Sequence, residues 1–153
     1  MTLKLAGSAA LITGGSSGIG AAISRELAAN GARVAINWHS QPDAAISIVE
    51  EITRSGGEAL AIGGDVSSED DAERMVTETV TRFGRIDFLV ANAGMQIDAP
   101  AMELSADDWR KGLDVNLTGQ FLVARAAARH FVKQGIAENR QSAGVIVCMS
   151  SVH

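Results

Sequence analysis

The sequence of 153 residues is poor in several kinds of residue or segment, and each scarcity excludes a type of bond, surface or membrane segment. Its single cysteine, Cys148, has no partner for an internal disulfide. Because Cys148 lies in the apolar run VIVCM, we interpret it as a buried small hydrophobe, which fits a reducing, cytoplasmic compartment. Thirteen basic against 18 acidic residues give a net charge of −5, so no basic surface is expected for nucleic acid. No apolar stretch is long enough to cross a membrane.

The chain also lacks repeats, linkers and low-complexity segments, so we predict one domain, and 46% hydrophobic residues suffice for its core. The first fifteen residues, MTLKLAGSAALITGG, imitate a signal peptide. Their apolar stretch is short and periodic structure begins at once, so we interpret them as mature protein. The three histidines and the one cysteine are too scattered for zinc ligands, and no metal is predicted.

What the sequence does contain is a regular alternation of short apolar runs with helical patterns. The runs are continuously apolar, as is typical of strands buried on both faces. They are AALIT, RVAINW, EALAIG, DFLVAN and GVIVCMS. The order β-α-β-α-β-α-β-α-β predicts an α/β fold with a doubly wound, Rossmann-like parallel sheet. In this fold ligands bind beyond the carboxyl ends of the strands.

Apolar spacing and capping residues predict the faces and the ends of the helices. Ser67 with Asp70, and Ser105 with Asp108, have the spacing of capping boxes. A long helix is predicted from Ala106 to Gln134. The predicted sheet-facing residues of the first three helices are Ile19, Ala22, Ile23 and Leu27, then Ala45, Ile46, Val49 and Ile52, then Ala72, Met75, Val76, Val80 and Phe83.

The stretch LITGGSSGIGAAI joins the first strand to the first helix through a glycine-rich corner. Backbone N–H groups at such a corner, together with the helix N-terminus, attract a diphosphate. Gly14 allows the turn, Gly18 keeps a side chain away from the phosphate, and Gly20 lets the helix pack closely. Ser16 and Ser17 can add hydroxyl donors. The corner therefore predicts a dinucleotide site.

Other interpretations of this corner carry different chemistry. A phosphate-transfer loop is excluded, because Ala21 and Ala22 occupy the positions of its lysine and hydroxyl. A nucleophile elbow fits the G-x-S-x-G spacing, but it needs a downstream acid and then a histidine, and the chain holds only His39, His130 and His153. A glycine-rich turn that binds nothing is the third alternative, since the usual G-x-G-x-x-G spacing is replaced by G-x-x-x-G-x-G.

Five motifs, TGGSSGIG, GDV, ANAG, DVNLTG and MSS, together resemble the classical short-chain dehydrogenase/reductases over the whole chain. The resemblance implies that Asp65 and Val66 meet an adenine ring and that Asn92 and Gly94 close the cofactor site. Asp65 as a helix-capping partner and Asn92 as a turn residue are the alternatives. The cofactor-binding residues implied are Thr13, Gly14, Ser16, Ser17, Gly18, Ile19, Gly20, Trp38, His39, Ser40, Asp65, Val66, Asn92, Ala93 and Gly94.

The resemblance also implies a catalytic set of tyrosine, lysine, serine and asparagine. Ser151 and Asn116 match the last two, with a purely structural Ser151 as the alternative. The sequence contains no tyrosine, and the family's Y-x-x-x-K motif would follow the serine. We therefore expect residues 1–153 to be the dinucleotide-binding portion of a longer domain, inactive alone and with an incomplete sheet. A non-catalytic dinucleotide-binding or regulatory module is the alternative.

The end of the second strand, INWHSQPD, carries no acid in the position that usually holds the ribose of NAD. His39 and Ser40 stand where a relative that tolerates phosphate would place a base and a hydroxyl. We therefore expect NADP to be favoured, with NAD also possible. Trp38 either stacks on adenine or covers the sheet edge.

The stretches NWHSQPD and CMSSVH look most like the bacterial glucose 1-dehydrogenases within the family. This likeness implies a sugar or polyol substrate, with keto-acyl or steroid-like alcohols second. The resemblance implies that the helix from Ala106 to Gln134 packs against a second subunit in a dimer or tetramer, as in relatives; burial of this helix within one molecule is the alternative. No nucleic acid or membrane partner is expected.

Overall fold

A computed structural model of the chain describes residues 4–138 and 140–150. Its core is one parallel sheet with the strand order β3-β2-β1-β4-β5. The strands are β1 Ala9–Ile12, β2 Arg33–Trp38, β3 Ala59–Gly63, β4 Phe88–Ala91 and β5 Val145–Cys148. The predicted doubly wound, Rossmann-like fold is confirmed, and the chain's winding reverses between β1 and β4.

Helices cover both faces of the sheet. They are α1 Gly18–Ala29, α2 Pro42–Arg54, α3 Glu69–Phe83, α4 Ala106–Leu113 and α5 Gly119–Gln134. A π-helical segment, Asp114–Thr118, joins α4 to α5, so the predicted long helix has the expected ends but is widened in its middle. No helix in the described ranges combines the length and the apolar character that crossing a membrane requires.

The two layers of the core follow the alternation of side chains along the buried strands. In β1, Ala9 and Leu11 pack into the cluster formed with α3 and α5, while Ala10 and Ile12 pack into the cluster with α1 and α2. All four are fully buried. Continuous apolar runs are required here because successive side chains enter opposite layers.

The predicted sheet-facing stripes are right for α3 and partly wrong for the first two helices. Ile19 is 63% exposed and Ile46 is 45% exposed. The most buried residues of α1 are instead Gly20, Ala21 and Ser24, because small residues let this helix approach the sheet more closely than an isoleucine would. Those of α2 are Ala45, Ile48 and Ile52.

The predicted N-cap of α3 was placed one residue too early. Ser67 is held in the preceding turn, where its N–H and its hydroxyl both donate to Asp65 Oδ1 at 2.9 and 2.7 Å. Ser68 is the N-cap, and its Oγ accepts a hydrogen bond from the Asp71 N–H. The cap predicted at Ser105 is confirmed.

The expectation that Cys148 is a buried small hydrophobe is wrong. Val145, Ile146 and Val147 are 38 to 45% exposed, and Cys148 is exposed as well. The reason is position: β5 lies at one edge of the sheet and, among the described residues, pairs only with β4. An apolar strand is buried on both faces only where other elements cover it.

Candidate functional site

A cleft of about 810 Å³ opens at the carboxyl ends of the strands, beside the point where the winding reverses. Every predicted cofactor-binding residue lines it except Thr13 and Gly20, which lie just behind its wall. Residues of α4 and the π segment close the far side. The topology therefore gathers side chains from four separate strand ends, as parallel sheets of this kind do.

The glycine corner presents only part of its backbone to this cleft. Gly14 has φ 61°, a conformation that favours glycine, and its N–H points inward to Asn37 Oδ1 at 3.0 Å. The Gly15 N–H also points inward, to the Asn37 carbonyl at 3.0 Å. The expectation that the N–H groups of this corner are available to a diphosphate is therefore wrong for Gly14 and Gly15.

The next five backbone N–H groups differ from those of Gly14 and Gly15, because they are not bound by an inward acceptor. Within residues 4–138 and 140–150, no acceptor takes a hydrogen bond from the N–H groups of Ser16 to Gly20. Ser17 is the N-cap of α1, and its side chain makes no capping bond. Because the first N–H groups of a helix have no partner within it, they form an anion-accepting end that borders the cleft.

Gly18 and Gly20 have different surroundings, and only the close packing predicted at Gly20 is seen in the structure. Gly18 has φ 49°, and a Cβ there would meet open space. A Cβ on Gly20 would lie 2.3 Å from the Gly14 carbonyl oxygen and 2.6 Å from Asn92 Nδ2. Gly20 thus allows α1 to pack directly against the corner that precedes it.

Thr13 and Asn92 hold β1 to β4 at the edge of the cleft. The Thr13 hydroxyl accepts hydrogen bonds from the Asn92 and Ala93 N–H groups at 2.9 and 3.0 Å. The Asn92 amide donates to the Thr13 carbonyl at 3.0 Å and approaches that of Gly14 at 3.3 Å. Asn92 is therefore more than a turn residue, because it braces the glycine corner from the β4 side.

The turn after β3 is ordered by two carboxylates. Asp65 binds Ser67 through Oδ1, while Asp65 Oδ2 lies 3.7 Å from His39 Nε2. The Asp65 N–H donates to Asp71 Oδ2 at 2.8 Å. This bond, followed by that from the Arg74 guanidinium, lowers the pKa of the Asp71 carboxyl below its ordinary value. Val66 is buried and packs against Gly119.

The two residues that follow β2, His39 and Ser40, are exposed, and the His39 side chain is 71% exposed. Trp38 is half-buried and pairs across the sheet with Gly63, where a Cβ would lie 2.7 Å from its ring. This contact favours the interpretation that the ring covers the sheet edge. Sequence reasoning missed Asn37, which is 2% exposed; its only signal was a polar residue inside an apolar strand.

Of the two predicted catalytic residues, only Asn116 lies within the described ranges. Asn116 lies in the π segment, where its Oδ1 accepts from the Met95 N–H and its Nδ2 donates to the Met95 carbonyl, both at 2.8 Å. Its amide therefore anchors the start of the loop that follows β4. Ser151 lies outside the described residues.

A second cavity, of about 790 Å³, lies near the C-terminal ends of α1 and α2 and contains none of the predicted residues. Small apolar residues and the exposed Arg25–Glu51 ion pair border it. The described part of the chain holds no cluster of three His, Cys, Asp or Glu side chains that could bind a metal.

The sheet and its cleft define a doubly wound α/β protein with an anion-accepting corner. The chain belongs to the short chain dehydrogenase family, whose model matches residues 8–153. It is 37% identical to glucose 1-dehydrogenase 2 of Bacillus subtilis, over all of this chain and 57% of that protein. It is 40% identical to a 3-oxoacyl-[acyl-carrier-protein] reductase of Synechocystis, over 82% of this chain and 51% of that protein.

Among solved structures, the fold is similar to a short chain dehydrogenase from Burkholderia cenocepacia crystallised in complex with NADP. The TM-score is 0.81 at 39% sequence identity, covering 83% of this chain and 52% of the other. The chain thus spans about half the length of the curated relatives it matches.

Proposed function

We propose that residues 1–153 form the dinucleotide-binding portion of an NAD(P)-dependent oxidoreductase that moves hydride between a nicotinamide and an alcohol or carbonyl. The observation that carries this proposal is the row of five N–H groups from Ser16 to Gly20, which have no acceptor among the described residues and lie at the border of the cleft. Such a row suits a pyrophosphate, because it offers several donors and the positive end of a helix dipole.

The remaining walls fit the other parts of a dinucleotide. Asp65 and Val66 would meet the adenine, with His39 and Ser40 beside its ribose. Gly94 leaves space on the β4 side, where the Asn116 amide would be the nearest group to a Cβ. When bound, the nicotinamide would supply the hydride chemistry, and the chain would supply position and exclusion of water.

For catalysis, we propose that Asn116 holds the loop at Met95 in place and that the Ser151 hydroxyl polarises the substrate oxygen. The tyrosine base and its neighbouring lysine would lie in a segment that corresponds to the part of the longer relatives that residues 1–153 do not cover. Among the described residues β5 has exposed faces and pairs only with β4, which supports this assignment because it leaves room for further elements of the sheet.

We propose NADP as the favoured nucleotide, with NAD second. The segment from Asn37 to Ser40, at the end of β2, contains no aspartate or glutamate that would repel a 2′-phosphate. The NADP complex of the Burkholderia protein agrees with this preference. A sugar or polyol is the first candidate substrate and a keto-acyl or steroid-like alcohol the second, in keeping with the named relatives.

The proposed setting is a homo-oligomer in the cytoplasm. Four large apolar side chains are exposed in one row at intervals of four residues along α4, the π segment and α5: Trp109, Leu113, Leu117 and Phe121. A second copy is the proposed occupant, because these side chains recur on one side of a helix that the sheet leaves uncovered. Sedimentation equilibrium of the complete gene product tests this; a monomer at micromolar concentration would refute it.

Calorimetric titration of the complete gene product with NADP⁺ and NAD⁺ tests the central proposal. Binding of at least one nucleotide, tighter for NADP⁺, is expected. Absorbance at 340 nm with glucose, a polyol and a keto-acyl thioester then identifies the substrate class. Binding without turnover of any alcohol or carbonyl would favour the non-catalytic module, and absence of binding would refute the proposal.

A further inference from the structure

Asn37 is the most connected buried polar side chain beside the cleft. It is 2% exposed near the end of β2, and its Oδ1 accepts the Gly14 N–H at 3.0 Å. Its Nδ2 faces four acceptors: the carbonyl oxygens of Gly64, Trp38 and Ile62 at 3.0, 3.1 and 3.3 Å, and the Met75 sulfur at 3.0 Å.

These contacts connect two turns that are separated by about fifty residues of sequence. On one side, the Asn37 side chain and backbone carbonyl bind the N–H groups of Gly14 and Gly15 in the glycine corner. On the other side, the same amide binds Gly64, which begins the turn that leads to Asp65. Both turns are therefore tied to one side chain between them.

We propose that Asn37 is a positioning residue that sets the distance between the glycine corner and the turn after β3. This inference rests on the proposed dinucleotide function, in which the pyrophosphate lies at the first turn and the adenine at the second. A ligand that contacts both turns requires this distance to be correct, whereas a ligand that contacts only one turn does not.

The chemistry of the surroundings requires an amide at this position. The Gly14 N–H needs an acceptor, while the Gly64 carbonyl needs a donor, and the asparagine side chain provides both. An aspartate would place carboxylate oxygen against carbonyl oxygen. An alanine would leave the Gly14 N–H without its acceptor, so that only the Gly15 N–H would still be held, by the backbone carbonyl of residue 37.

The test compares a ligand that spans both turns with one that contacts a single turn. NADP⁺ and adenosine are titrated into the complete gene product, into Asn37→Ala, and into Asn37→Asp, which keeps the side-chain volume. Thr79→Val is the matched control, because Thr79 is fully buried and its hydroxyl bonds within α3, away from the cleft. Thermal unfolding of each variant is recorded alongside.

Both Asn37 variants are expected to bind NADP⁺ with an affinity lowered by about tenfold or more. Their affinity for adenosine should fall by less than about twofold. Thr79→Val should change neither affinity even where it lowers the melting temperature. Equal weakening of both ligands, or unchanged NADP⁺ affinity, would overturn the positioning role. A wild-type protein that binds no pyridine nucleotide would instead refute the proposed function itself.

Amide hydrogen exchange of the wild-type protein tests the inference without any variant. Before NADP⁺ is added, the Gly14 and Gly15 amides should exchange slowly and those of Ser17 and Ile19 rapidly. Rapid exchange at Gly14 would contradict the Asn37 anchor, even if both substituted proteins failed to fold.

Discussion

The Thr13 hydroxyl accepts the Asn92 N–H at 2.9 Å, a contact between residues 79 positions apart that joins β1 to β4 where the cleft opens. The same hydroxyl also accepts the Ala93 N–H at 3.0 Å. One buried oxygen therefore satisfies two backbone donors at the point where the winding reverses.

Thr13→Val keeps the shape of the side chain but removes this acceptor. We expect the free energy of unfolding to fall by about 2 kcal/mol, because two partly buried N–H groups lose their partner. Urea unfolding followed by circular dichroism measures the change. Thr13→Ser retains the hydroxyl and should lose less than half as much; equal losses in both variants would show that the methyl group, not the hydroxyl, matters.

Gly20→Ala should damage both stability and nucleotide binding. Its Cβ would lie 2.3 Å from the Gly14 carbonyl oxygen, so α1 must move away from the corner, at about 1–3 kcal/mol. Gly112→Ala in α4 is the control, since a Cβ there meets nothing within 4 Å and alanine favours the helix. Loss of NADP⁺ affinity in both variants, or in neither, would contradict the role given to Gly20.

His39→Asp should reduce affinity for NADP⁺ more than for NAD⁺. The His39 side chain is 71% exposed beside the cleft, so the substitution adds a negative charge with little disturbance of the core. Repulsion of a 2′-phosphate is expected to weaken NADP⁺ by about tenfold. His39→Gln provides the uncharged comparison in the same calorimetric titration. Equal effects of H39D on the two nucleotides would place the 2′-phosphate elsewhere.

Asp71 should contribute to stability near neutrality and lose that contribution in acid. Its pKa is lowered in the folded protein by the Asp65 N–H and then by Arg74, so folding favours the carboxylate. The contribution is present above the unfolded pKa and disappears as pH falls through the folded pKa, which lies lower. Asp71→Asn is therefore expected to be less stable than wild type at pH 7, with a gap that narrows towards pH 3.

Denaturant unfolding at both pH values measures this gap for Asp71→Asn. Asp107→Asn is the control, because the Asp107 side chain is 93% exposed, and its effect should stay within about 0.5 kcal/mol at each pH. A gap for Asp71→Asn that is constant or widens in acid would rule out the carboxylate as the stabilising group.

Asp87→Ala should be the most destabilising of these substitutions. The Asp87 side chain is 3% exposed and accepts from the Ala9 N–H, while Arg85 and Arg140 approach it at 2.7 and 3.2 Å. Removing this carboxylate leaves Arg85 and Arg140 without their buried partner. The free energy of unfolding is therefore expected to fall by about 3 kcal/mol. The exposed pair Arg25–Glu51 provides the comparison, and Glu51→Gln should lose under about 1 kcal/mol in the same unfolding measurement.

Much of the fold followed from patterns within the sequence, and the wrong expectations have two causes. The doubly wound parallel sheet and the position of α1 agree with expectation. The exposure of Ile19 and Cys148 does not, because hydrophobicity alone does not say which surfaces other elements cover. The cap at Ser68 was missed because Asp65 competes for Ser67.

The sequence by itself determined the alternation of strands and helices and the glycine corner, since periodicity and turn chemistry are local properties of the chain. Only the tertiary structure decided which amides of that corner face inward and that Asn37 ties the corner to Gly64. Those bonds join groups more than twenty residues apart, so they exist only once packing has brought three strand ends together.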